Sequence, residues 1–208
     1  MSQRLTRLTT PVTGLIFVAL MLISVSLSGS TPDSNASAGR VIAFYVAHRH
    51  DQQVSDITFT LAALFIVFFA GALYGYLRET QAAASAGAVM LVGAGLLAVG
   101  LTILAGTNWA LADVPGRLSP AAAQALNVIG NDVFYTLPVG GAAFGIAGGV
   151  AILRGARLPG WLGWIAVVIG VALATPALWI AGVALFVWVL VVCSLVYVRG
   201  GAAAPTGV

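Results

Sequence analysis

The chain has 208 residues, of which 60% are hydrophobic and only 7% charged. Soluble domains carry about 25% charged residues, so a soluble enzyme, a disordered tail, a nucleic-acid-binding module and a disulfide scaffold are all disfavoured. The net charge of +3 rests on Arg alone, nine of them scattered without a basic run, so it bears on membrane topology rather than on nucleic acid.

A helix that crosses hydrocarbon needs about 20 apolar residues. The chain offers six such stretches, which predicts an all-α fold: a polytopic membrane helix bundle, one membrane domain over residues 1–208. Span one is expected at residues 11–29, with Thr10 as cap and Pro11 in the first turn. Arg4, Arg7 and the apolar stretch after them also describe a signal peptide. The retained span is preferred, because the nearest small-x-small site, Ala36-Ser37-Ala38, lies well beyond the apolar core.

Residues 30–55 form the largest outer loop, opening with the turn composition Ser-Thr-Pro-Asp-Ser-Asn. Within it Val41, Ile42, Tyr45 and Val46 recur at helical spacing, with Arg40, His48 and Arg49 at polar positions. That pattern predicts a short amphipathic helix in the membrane interface. Span two is expected at 57–77, with Asp56 at its start and Arg78 at its end, signs that suit the helix dipole. Span three is expected at 82–106. A second outer loop follows, and Ser119-Pro120 within it starts a helix that can run into span four at 134–153.

The stretch from Gly160 to Val198 holds no charge over 39 residues. As one helix it would be about 58 Å long, roughly twice the hydrocarbon thickness. It is therefore expected to fold back at Pro176, giving spans five and six at 160–175 and 177–198; one long, kinked helix is the alternative. Six spans put Arg4, Arg7, Arg78, Arg154, Arg157 and Arg199 on one side and Arg40, Arg49 and Arg117 on the other. The excess places both termini in the cytoplasm, in the cytoplasmic (cell inner) membrane. Trp161 and Trp164 then fall in the inner aromatic belt and Trp179 in the outer one.

Glycine marks the helix contacts. Gly141, Gly145 and Gly149 make two consecutive small-xxx-small steps, so span four is expected to be central. Gly71 and Gly75 make one such step in span two, and Gly87, Gly93, Gly95 and Gly100 thin out span three. Cys193 lies alone in an apolar stretch and reads as a packing residue.

Chemistry has few places to reside. Asn127, Asn131 and Tyr135 share one helix face at i, i+4, i+8, with Asp132 one position off it and Asn108 on the same outer side. These five residues are the candidate binding cluster, an outer polar vestibule. The plainer reading has Asp132 capping or bonding neighbouring helices outside the hydrocarbon. No acid, Lys, Arg or His lies at the centre of any span, which argues against a buried proton relay. His48, His50 and Asp51 are weak metal candidates, too few for a zinc or copper site in a loop. Phosphate-loop, HExxH, CxxC and nucleophile-elbow patterns do not occur, so no catalytic residue and no cofactor is indicated.

Four patterns occur in order: "AFYVAHRHDQ" before span two, "YGYLRE" closing it, "SPAAAQALNVIGNDVF" entering span four and "RLPGWLGW" opening span five. With them the chain, over about residues 10–199, resembles an uncharacterised group of six-span actinobacterial membrane proteins known as a domain of unknown function. The resemblance implies the span count and no activity. The expected function is an accessory or interaction protein of the membrane, surrounded by the lipid bilayer, with a membrane protein or a second copy as partner. The alternatives are a small-solute transporter or channel lined around Asp132, and a membrane enzyme built where Asp132 meets the His48/His50 loop.

Overall fold

A computed structural model describes residues 3–133 and 137–201, with side chains described for 8–133 and 137–199. Every regular element among the described residues is a helix. In chain order they are α1 (Gln3–Ser28), α2 (Ala38–Ala47), α3 (Arg49–Leu77), α4 (Gln81–Asp113), α5 (Pro120–Val133), α6 (Leu137–Arg154), α7 (Gly160–Leu173) and α8 (Leu178–Gly201), with a 3₁₀ turn at Pro115–Arg117. Local start signals explain three of the boundaries. Ser37 accepts from the backbone N–H of Arg40 at α2, Thr80 from Ala83 at α4 and Ser119 from Ala122 at α5, each satisfying an orphan donor of a first turn.

Among the described residues five stretches are long and apolar enough to cross a membrane: Leu8–Ser28, Arg49–Leu77, Gln81–Asp113, Pro120–Arg154 and Leu178–Arg199. The fifth expected span, α7, has only 14 residues and is not among them. At 1.5 Å per residue it is about 21 Å long, short of the ~30 Å hydrocarbon core. Pro159 precedes it and the turn at Thr175-Pro176 follows it, so it cannot extend at either end.

Packing neighbours run α1–α3–α4–α6–α7–α8 and back to α1, closing a ring of six helices. The middle of the ring is filled. Phe144 of α6 stands between Phe69 of α3, at 6.4 Å between ring centroids, and Trp188 of α8, at 6.1 Å. Met90 of α4 is fully buried and abuts Gly148. The Trp188 indole N–H donates to the Leu162 carbonyl at 3.0 Å, so the one polar atom of that ring is satisfied within the core.

Helix α6 is central, as its glycines predict, and it presents two glycine faces. A Cβ on Gly140 would strike the backbone of Leu97 in α4, and one on Gly93 would strike the backbone of Phe144. On the other face Gly145 lies against Gly170, and a Cβ on Gly149 would meet the Gly163 carbonyl oxygen. Helices α4, α6 and α7 thus touch backbone to backbone, a contact that any side chain would hold apart. Gly71 and Gly95 take no part, since a Cβ at either would meet nothing within 4 Å.

One end of the bundle gathers the arginines. Glu79, after α3, pairs with Arg157 in the α6–α7 loop. The Arg157 guanidinium also lies over the Tyr76 ring at 5.0 Å, and its carbonyl accepts from Arg199 at the end of α8 at 2.6 Å. Thr80 donates to the Arg154 carbonyl at 3.1 Å. The ends of α3, α6 and α8 therefore meet at one level, and α7 and α8 form an antiparallel hairpin around Pro176. Cys193 is buried there against Gly14 and Thr10 of α1, as a packing residue.

Two helix starts differ from expectation. Helix α1 begins at Gln3 and runs through Pro11, which is interior rather than first-turn, so Thr10 is not a cap. Helix α3 begins at Arg49, immediately after a single corner residue, His48. No glycine or proline separates Arg49 from Ile57, so the helix continues about two turns beyond the apolar boundary. Asp56 consequently sits inside the helix and is not a helix-start acid.

Candidate functional site: a polar cap over a buried carboxylate

At the end opposite Arg154, Arg157 and Arg199, α2, α5 and the 3₁₀ turn pack on one another and on α3 and α4. Their apolar contacts form a second, smaller core of Ala36, Val41, Tyr45, Leu111, Ala112 and Ala123. The amphipathic face of α2 therefore packs on protein: Val41 and Tyr45 are buried, while Val46 remains exposed. The segment leading into α2 is held by side chains from α5. Asn127, 2% exposed, donates to the Asp33 carbonyl at 2.8 Å, and Asn131 donates to the Pro32 carbonyl at 3.2 Å.

Beneath this cap the first turns of α3 turn their polar side chains inward. Gln52, Ser55 and Asp56 are each 1% exposed. Ser55 and the buried Ser24 of α1 bond to each other's carbonyls, at 3.0 and 3.2 Å, and the Ser24 hydroxyl also meets that of Thr58 at 2.5 Å. Gln52 donates from Nε2 to the Ser28 carbonyl at 2.8 Å. Its Oε1 has no hydrogen-bond partner, and neither oxygen of the Asp56 carboxyl has one.

Two side chains close the Asp56 corner from above. Tyr45 Oη donates to Asn108 Oδ1 at 3.4 Å, and the Asn108 side chain faces the Asp56 carboxyl. Burial pushes the Tyr45 phenol above its ordinary range, and the Asp56 carboxylate beside it pushes the same way. The cluster thus holds one carboxyl, two amides and one phenol, drawn from α2, α3 and α4.

The residues singled out from sequence divide. Asn108 belongs to this corner. Asn127 and Asn131 lie in the cap and spend their amides on loop carbonyls. Asp132 is exposed on the side of α5 that points away. Tyr135 lies outside the described residues. His48 is exposed, stacks on Phe44 at 4.5 Å and bonds through Nδ1 to the Phe44 carbonyl at 3.0 Å. His50 and Asp51 are exposed, and among the described residues no group of three or more His, Cys, Asp or Glu could hold a metal ion.

Sequence reasoning missed Gln52, Asp56 and Tyr45 as a unit. A signal was present: Gln52 and Asp56 stand four apart on one helix face, and Tyr45 was placed on the apolar face of α2. Comparison of the chain with protein-family models, with curated proteins and with solved structures finds no match.

Proposed function

We propose that the chain is a six-span accessory protein of the cytoplasmic membrane, with both termini and the arginine end facing the cytoplasm and the polar cap facing outward. In this reading α7 crosses with the help of the interfacial turns at either end, and the membrane thins or the helix ends are wetted to meet its length. The filled ring supports an accessory role over a conduit: Phe69, Met90, Phe144 and Trp188 occupy the place where a solute path would run. The surface of α4, α7 and α8 supports a lipid setting, because its large exposed side chains are apolar, Val92, Trp164, Val168 and Ile180 among them. Lipid, a membrane protein partner or a second copy would cover that surface. Membership of the six-span actinobacterial group is part of the same proposal and rests on the sequence patterns alone.

Tags at the two termini test the layout. In intact cells neither should be cut by external protease, and a cysteine placed at Ser34 should be labelled from outside. Cleavage of a tag beyond Arg199 in intact cells overturns the six-span layout. Purified protein in vesicles should leave them tight to small solutes, and a saturable, specific flux overturns the accessory role.

A further inference from the structure

We propose that Asp56, Gln52, Asn108 and Tyr45 form a binding site for a monovalent metal cation beneath the cap. The site does not depend on how many helices cross the membrane. Three buried acceptor oxygens on neighbouring turns of α3 have no hydrogen-bond partner of ordinary geometry: both carboxylate oxygens of Asp56 and Oε1 of Gln52, on side chains each 1% exposed. Gln52 and Asp56 are four residues apart on α3, so they rise from one face of the helix. Asn108 Oδ1 and Tyr45 Oη add two more oxygens, 3.4 Å apart, and a carbonyl oxygen that accepts one bond keeps a second lone pair.

Among the described residues, none of the groups named at this corner carries positive charge. Of the elements packed around Asp56, α2 supplies Tyr45, α4 supplies Asn108 and α1 supplies the hydroxyl and carbonyl of Ser24 and the carbonyl of Ser28. The nearest cation along α3, Arg49, is exposed and pairs with Asp113 at 3.5 Å. A buried carboxylate with no counter-charge is strongly disfavoured. A proton relieves the charge and lets Asp56 donate to one acceptor such as Gln52 Oε1, while the Asn108 side chain faces the carboxyl. A metal ion satisfies all three oxygens. One carboxylate among neutral oxygens matches a single positive charge, whereas calcium sites use six to eight oxygens and magnesium sites retain water and strict octahedral geometry.

The test is thermal unfolding of the purified full-length chain in neutral detergent, with choline chloride replaced stepwise by sodium, potassium or lithium chloride at constant ionic strength. A ligand bound only by the folded state raises the melting temperature with concentration. The wild-type protein should respond to one of these ions more than to the other two. Asp56→Asn, a neutral isostere, should melt above the wild type in choline and show no response to any ion. Gln52→Leu should shift the half-maximal ion concentration upward by about tenfold and carries the test if Asp56→Asn does not fold. Asp113→Asn, at the surface, should respond as the wild type does. Equal melting in all four salts overturns the site, as does an ion response that survives in Asp56→Asn. A melting temperature that follows pH and ignores the ions also overturns it, by making Asp56 a protonated acid.

Discussion

The seam where α4, α6 and α7 meet and the cap formed by α2 and α5 solve the same problem in opposite ways. The seam uses almost no hydrogen bonds between side chains; it brings glycine backbones into contact and fills what remains with Phe144, Met90 and Trp188. The cap uses few glycines and ties loop carbonyls to Asn127 and Asn131. In the membrane setting proposed above, solvent accounts for the difference. Lipid tails are as apolar as leucine, so in the seam burial of apolar surface gives little advantage and close packing must supply the attraction. At the cap, water competes for every polar group and apolar burial regains its value.

Substitution can break the seam first. Gly149→Val should produce the largest loss, about 3 kcal/mol of stability, since its Cβ would meet the backbone of α7 and nothing flexible can yield. Gly71→Ala, in open space, should stay within about 0.5 kcal/mol of the wild type. If reversible unfolding in detergent shows the two glycines to be equivalent, the backbone seam is not what holds the ring. Asn127→Ala sharpens the cap side: it leaves the Asp33 carbonyl without its donor and should cost about 1–2 kcal/mol. Proteolysis within residues 29–37 should quicken in that variant before the ring itself melts. The smallest effect belongs to Arg49→Ala. Its pair with Asp113 has both side chains about half exposed, so the loss should be under about 0.5 kcal/mol and should vanish at high salt.

Much of this was legible before any coordinates. The uncharged run after Gly160 is too long for one straight crossing, and Pro176 within it is the breaker, so a hairpin there is the preferred reading over one long, kinked helix. Ser119-Pro120 marks a helix start because a cap and a proline in the first turn need only their own neighbours. Asp56 was misread for a specific reason: apolar composition stops at Ile57, and a helix that runs on through polar residues leaves no mark in hydropathy. The two tests of a boundary, composition and backbone hydrogen bonding, separate wherever polar side chains point inward. The same limit applies to Asn127, Asn131 and Asp132, which are neighbours in sequence. Which of them meets the loop and which meets solvent is settled by what packs against α5.

By itself the amino-acid order determined a helical, largely apolar chain, the approximate extent of each helix, and the central place of the Gly141-Gly145-Gly149 face. Those properties follow from short-range preferences and from the free energy of moving each side chain between water and oil. Only the tertiary structure decided that Gly71 and Gly95 face open space, that α2 packs on protein, and that Gln52, Asp56, Tyr45 and Asn108 meet beneath it. Such meetings depend on how helices distant in sequence rotate against one another, and no local preference encodes that rotation.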